Sequence, residues 1–175
     1  TDAAGPPDLR FGGVCWPGAE LAPDVDAVMG DPARFADRLR QEQYGGARCF
    51  AGPLKQGMAS WSSAALEVQA FMSVLDCLAR VQPDAVDGRS IRWFSDSQTA
   101  VASVRRWRTK SVGLRTVLQN LFAFLRRHRA VVLPTWVSRG LGWQPAADLL
   151  SRRRGWRGRA GWSLPEPIFR AGVDR

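Results

Sequence analysis

Histidine occurs once in the 175 residues and cysteine three times, and neither shows the spacing of a metal site. Cys15, Cys49 and Cys77 are odd in number and scattered, with no Cys-x-x-Cys pair. That excludes a zinc finger and a disulfide framework, and fits a reducing intracellular compartment, cytoplasmic or nuclear. No apolar run approaches the roughly 18–20 residues a membrane helix requires, so no membrane partner is expected. The chain opens at Thr1 with no methionine and no charged-then-apolar leader pattern, and reads as a piece of a longer protein. With 45% hydrophobic residues it can still bury one full core.

Acid is scarce in the second half. Residues 1–87 hold 7 Lys/Arg against 12 Asp/Glu, a balance of −5. Residues 88–175 hold 18 against 4, a balance of +14, within an overall +9. Such a step implies a basic face turned toward a polyanion. The basic residues there are mostly arginine, whose planar fork of donors suits phosphate. A biased genome could also produce that arginine content.

The chain is organised around Ile91-Arg92-Trp93-Phe94-Ser95-Asp96-Ser97-Gln98-Thr99-Ala100. It reads as a strand that ends on a carboxylate and enters a helix, with Ser95 or Ser97 as cap. Open α/β sheets place their chemistry at such strand ends. Taken alone, Asp96 could simply cap the helix.

Upstream, Thr1–Ala4 and Phe11–Trp16 read as paired strands. Residues 17–46 form an insertion, a loop followed by a helix from Asp31-Pro32 to about Gln43. Ala47–Ala51 is a short strand. Ser62-Ser63 caps a helix to about Ala79 with Glu67, Phe71, Val74 and Leu78 on one stripe. A carboxylate on that stripe must be neutral, paired or metal-bound.

Downstream, a helix from Thr99 to about Trp107 ends in Arg105, Arg106, Arg108 and Lys110. A further helix spans about Leu114–His128. Val131–Val137 is a strand that Pro134 makes an edge or bulges. Pro145–Ser151 is a short helix. Residues 153–175 form a basic tail; Arg152–Trp162 carries five arginines among Gly and Trp without an acid, suited to a phosphate-rich strand.

Four acids thus take special places: Asp2 in the first strand, Glu67 on a core stripe, Asp96 at a strand end and Asp148 in the last helix. If the strands of Asp2 and Asp96 are adjacent, all four converge and need divalent cations between them. All-oxygen donors favour Mg²⁺ or Mn²⁺. Two such ions about 3.5–4 Å apart suit phosphodiester hydrolysis.

Several stretches together resemble the ribonuclease H domain of retroelement reverse transcriptases. They are Thr1-Asp2-Ala3, Ser62–Ala70, Phe94–Ala100, Thr135–Arg139 and Ala147-Asp148-Leu149-Leu150-Ser151-Arg152, the last most like gypsy-class and DIRS-type elements. The resemblance covers about residues 1–152. It implies an α/β domain of the ribonuclease H-like fold, a five-stranded mixed sheet with helices on both faces. It also implies hydrolysis of the RNA strand of RNA–DNA hybrids with two Mg²⁺ or Mn²⁺ ions, beside the reverse transcriptase portion of the same polyprotein. By position, the resemblance makes Asp2, Glu67, Asp96 and Asp148 the candidates for catalytic metal ligands.

Two features depart from the family. The 17–46 insertion exceeds a simple hairpin. No histidine precedes the last aspartate, which leaves the leaving group to water or to an arginine such as Arg139; His128 lies at a helix end as a solvated cap. Related two-metal enzymes fit less well, since transposases and integrases present a late glutamate and none lies between Glu67 and Glu166. Proofreading exonucleases carry Asp-x-Glu where this chain has Asp2-Ala3-Ala4. The remaining alternative is a catalytically inactive ribonuclease H-like module that binds nucleic acid or serves as a protein scaffold.

Arg105, Arg106, Arg108, Lys110, Arg139 and Trp143 are the candidates for contact with the hybrid, by charge and without sequence preference. Trp93 and Trp136, both in strands, are expected in the core. Trp107, Trp143, Trp156 and Trp162 neighbour arginines or glycines and could stack on bases; Trp107 and Trp143 could equally pack.

Overall fold

The computed structural model describes residues 1–6, 9–15, 48–54, 56–139, 147–148, 151 and 168–170. The insertion helix expected at 31–43, Trp143, Trp156 and Trp162 lie outside them. In chain order the elements are β1 (Asp2–Ala4), β2 (Arg10–Cys15), β3 (Arg48–Pro53), α1 (Ser63–Val81), β4 (Ser90–Ser95), α2 (Gln98–Arg106), α3 (Val112–Arg127), β5 (Val131–Trp136) and β6 (Ile168–Arg170). The architecture is mixed α/β.

Each helix begins on a serine whose hydroxyl accepts an otherwise free backbone N–H. Ser62 takes Ala65 N, Ser97 takes Ala100 N and Ser111 takes Leu114 N, at 3.3–3.4 Å. α1 runs 19 residues without Gly or Pro and stops at Gln82, ahead of Pro83. Its buried face includes Leu66, Glu67, Phe71, Val74 and Leu78, the stripe that the sequence spacing outlines. α2 stops where Trp107 turns left-handed at φ 50°.

The strands fall into two sheets. β1 and β3 flank β2 antiparallel, and β6 joins β3 in parallel; β4 and β5 form a separate parallel pair. The expected single five-stranded sheet is therefore divided. β1 is only three residues long and its register is taken up with β2. Its approach to β4 runs through Thr1, whose backbone nitrogen donates to the Phe94 carbonyl at 3.2 Å. The Trp93 indole N–H donates to Thr1 Oγ1 at 2.8 Å. β6 is a strand that the sequence reading did not anticipate within the basic tail.

The core knits the two sheets through α1. Trp93 of β4 is fully buried and lies flat against Phe71 of α1, with ring centroids 4.7 Å apart and planes at 10°. Such a stack adds about 0.5–1.5 kcal/mol beyond area burial. On the other sheet α1 comes so near β2 that a Cβ at Gly13 would sit 2.5 Å from Val74 Cγ2. The glycine permits that approach.

Two side chains differ from expectation. Trp136 is not core: it is 45% exposed, because at the last position of β5 its indole N–H turns to the Asp96 carbonyl at 3.1 Å. His128 does cap the end of α3, but with a charged partner as well as solvent. Its Nδ1 lies 2.6 Å from Asp87 Oδ1 and its ring packs 4.3 Å from Phe124. Among the described residues no helix is long and apolar enough to cross a membrane.

Candidate metal centre

Three acids far apart in sequence meet where the two sheets adjoin. Asp2 is the first residue of β1, Glu67 lies in the second turn of α1, and Asp96 follows the last residue of β4. One carboxylate oxygen from each lies within 4.8 Å of the others. Asp2 and Glu67 are buried, and the Asp96 side chain is 17% exposed. Asp148, helical and 29% exposed, stands at the outer side.

The inner pair is held by hydrogen bonds from distant parts of the chain. Glu67 Oε1 accepts the Ala3 backbone N–H at 3.3 Å, which fixes the helix carboxylate to β1. Asp2 Oδ2 lies 2.5 Å from Ser151 Oγ, and the same hydroxyl lies 2.9 Å from the Asp148 carbonyl. One hydroxyl proton cannot serve both acceptors at once. With Asp2 protonated, its own O–H can donate to Ser151 and the serine proton is left for the carbonyl.

Burial raises both inner carboxyls above their ordinary range. For Glu67, desolvation comes first and the Asp2 charge second, outweighing the Thr1 ammonium and the Ala3 N–H, and together they push it up to about 8. For Asp2, desolvation is again the main cause; the Ser151 bond opposes it, and the charges of Asp148 and Asp96 add to it.

The outer pair is held by a cation. Arg139 Nε lies 3.4 Å from Asp96 Oδ2, and its terminal nitrogen lies 3.5 Å from Asp148 Oδ1. Asp148, expected as a fourth ligand, is not among the three acids that meet within 4.8 Å; it is linked to Asp96 through Arg139 and acts on Asp2 through its charge.

These residues fit a hard divalent cation. Glu67 Oε2 is buried with no hydrogen-bond partner among the described residues, an arrangement that costs about 1–3 kcal/mol unless something fills it. The donors are all carboxylate oxygens, the set that Mg²⁺ and Mn²⁺ take and zinc sites seldom use alone.

The arginines expected to meet nucleic acid are placed unevenly. Arg105, Arg106, Arg108 and Lys110 are exposed at and beyond the end of α2. Arg105 is partly engaged, its Nε donating to the Pro134 carbonyl at 3.0 Å. Trp107 packs edge-on against Phe122 at 5.7 Å while staying 42% exposed.

Sequence reasoning missed Ser151 as the partner of Asp2, although it sits three residues after Asp148, one helical turn away. It also missed Trp136 at the rim, and no local signal marks that turn of the indole. The chain matches no protein-family model, and its comparison with curated proteins and with solved structures yields no match. The argument for a metal centre therefore stands on the residues themselves.

Proposed function

We propose that this chain is a ribonuclease H-type nuclease that hydrolyses the RNA strand of RNA–DNA hybrids with two Mg²⁺ or Mn²⁺ ions. The setting would be the reverse transcriptase of a retroelement. The observation that carries the proposal is the meeting of Asp2, Glu67 and Asp96 within 4.8 Å around an unpartnered, buried Glu67 oxygen. The contacts of Thr1, the residue before β1, with Phe94 and Trp93 of β4 add support by bringing the carboxylates of Asp2 and Asp96 near each other, although the two strands pair in separate sheets. The choice of hybrid as substrate rests on the resemblance of the five motifs and on the basic second half of the chain.

In this reading the four carboxylates hold the ions, which would activate the attacking water and stabilise the leaving oxygen. Ala3 N–H and Ser151 Oγ aim the inner carboxylates, as second-layer partners do in metal sites. The exposed cations at the end of α2 hold the backbone of the hybrid through charge.

Labelled RNA–DNA hybrid incubated with Mn²⁺ or Mg²⁺ tests the proposal, comparing wild type with Asp96→Asn. The expected result is cleavage of the RNA strand alone, lost in chelator and reduced by about two orders of magnitude or more in the variant. Hybrid binding that survives in chelator, with no cleavage under any metal, would instead assign a binding module.

A further inference from the structure

Arg139, expected from the sequence to meet the hybrid or the leaving group, lies instead against the acids of the site. Its guanidinium bridges carboxylates from two separate parts of the chain, Asp96 after β4 and Asp148 in the last helical segment. Both contacts are long, at 3.4 and 3.5 Å, and the arginine side chain is 67% exposed. A strongly bound structural arginine would instead be buried, with short paired bonds. Held this way, Arg139 supplies one positive charge at the mouth of the acid cluster and can leave without breaking the core.

Resting on the nuclease reading, we propose that Arg139 is the stand-in cation of the metal-free cluster, displaced from Asp96 and Asp148 when a divalent ion enters. The two compete for the same carboxylates, since a hard cation draws carboxylate oxygens to about 2.0–2.6 Å and so pulls them from the long contacts to the guanidinium. Two charges near the ion's position would also repel. The arginine keeps the outer acids together in the metal-free protein and competes with the ion for them. Once displaced, its exposed fork is free at the rim of the site and suited to a phosphate oxygen of the substrate.

Calorimetric titration of Mn²⁺ into the full chain, with no nucleic acid present, reads this competition directly. Wild type, Arg139→Ala and Arg139→Lys are compared. Arg92→Ala serves as the charge control, since Arg92 is an exposed arginine on β4, whose end leads into Asp96. Removing Arg139 should tighten Mn²⁺ binding roughly two- to tenfold, the range two half-exposed ion pairs can supply. The lysine variant should fall between, and Arg92→Ala should stay within twofold of wild type. Equal or weaker binding in Arg139→Ala, or an equal gain in Arg92→Ala, overturns the competition and leaves the nuclease reading standing. If wild type and every variant fail to bind Mn²⁺, the nuclease reading falls and the inference falls with it.

Discussion

The inner and outer halves of the acid cluster meet the same electrostatic problem by different means. Asp2 and Glu67 are buried, and their carboxyls are raised, so near neutral pH Glu67 holds a proton in place of a counter-charge. Asp96 and Asp148 are partly exposed and share an arginine. Depth decides between the two. Where water is excluded, losing the charge is easier than pairing it, while at the rim a mobile cation suffices. On the proposed reading, a divalent ion entering the centre would displace a proton on the inside and a guanidinium on the outside.

The largest expected effect separates the halves at Glu67. If the proposed nuclease activity holds, Glu67→Gln should lower hybrid cleavage by about two orders of magnitude or more, since it removes a proposed metal ligand. The same substitution should remove a pH dependence of folding. In chelator, folded Glu67 keeps its proton up to about pH 8, whereas the unfolded carboxyl releases it near 4.5. This contribution to stability is complete below pH 4.5, falls as pH rises toward 8 and is flat above. The slope is at most about 1.4 kcal/mol per pH unit for one group. Denaturant melts at pH 5 and 8 would show a shallower fall in Glu67→Gln than in wild type. An unchanged fall would refute the idea that the inner acid resolves its burial by protonation.

A smaller effect is expected at Ser151. Ser151→Ala should weaken Mn²⁺ affinity about ten- to a hundredfold by leaving Asp2 unaimed, while the far-ultraviolet spectrum stays native. Gly13→Ala probes the same inner pair from behind. It should lower stability by about 1–3 kcal/mol in a denaturant melt, because the new methyl meets Val74. The smallest effect belongs to the outer half. Asp148→Asn in chelator should shift stability by less than about 1 kcal/mol, as expected of a part-exposed ion pair. A larger loss would erase the contrast between the halves.

Much of this arrangement is legible in the sequence because it depends on local pattern. The caps at Ser62 and Ser97 and the stripe of α1 follow from residue type and spacing. Glu67 announces itself as an acid among apolar neighbours. Asp96 is marked by the strand that ends on it. The contacts that are not legible join residues distant in sequence through side-chain direction. Arg139 reaches back 43 positions to Asp96, and Ser151 reaches Asp2 across 149. Trp136 misled because an aromatic in a strand ordinarily enters the core, whereas this one ends its strand and finds a carbonyl acceptor outside it. The division into two sheets was hidden for a similar reason, since β1 joins β4 through the polar groups of Thr1.

Gly13 also reaches further than its own neighbourhood. Val74, the residue that fills the space above it, lies seven positions after Glu67 on α1. Seven residues are about two helical turns, so both side chains leave the same face about 10 Å apart. The missing side chain on β2 thus works as a depth gauge. It sets how far the helix sinks, and with it the height at which a carboxylate two turns away stands among the neighbouring acids.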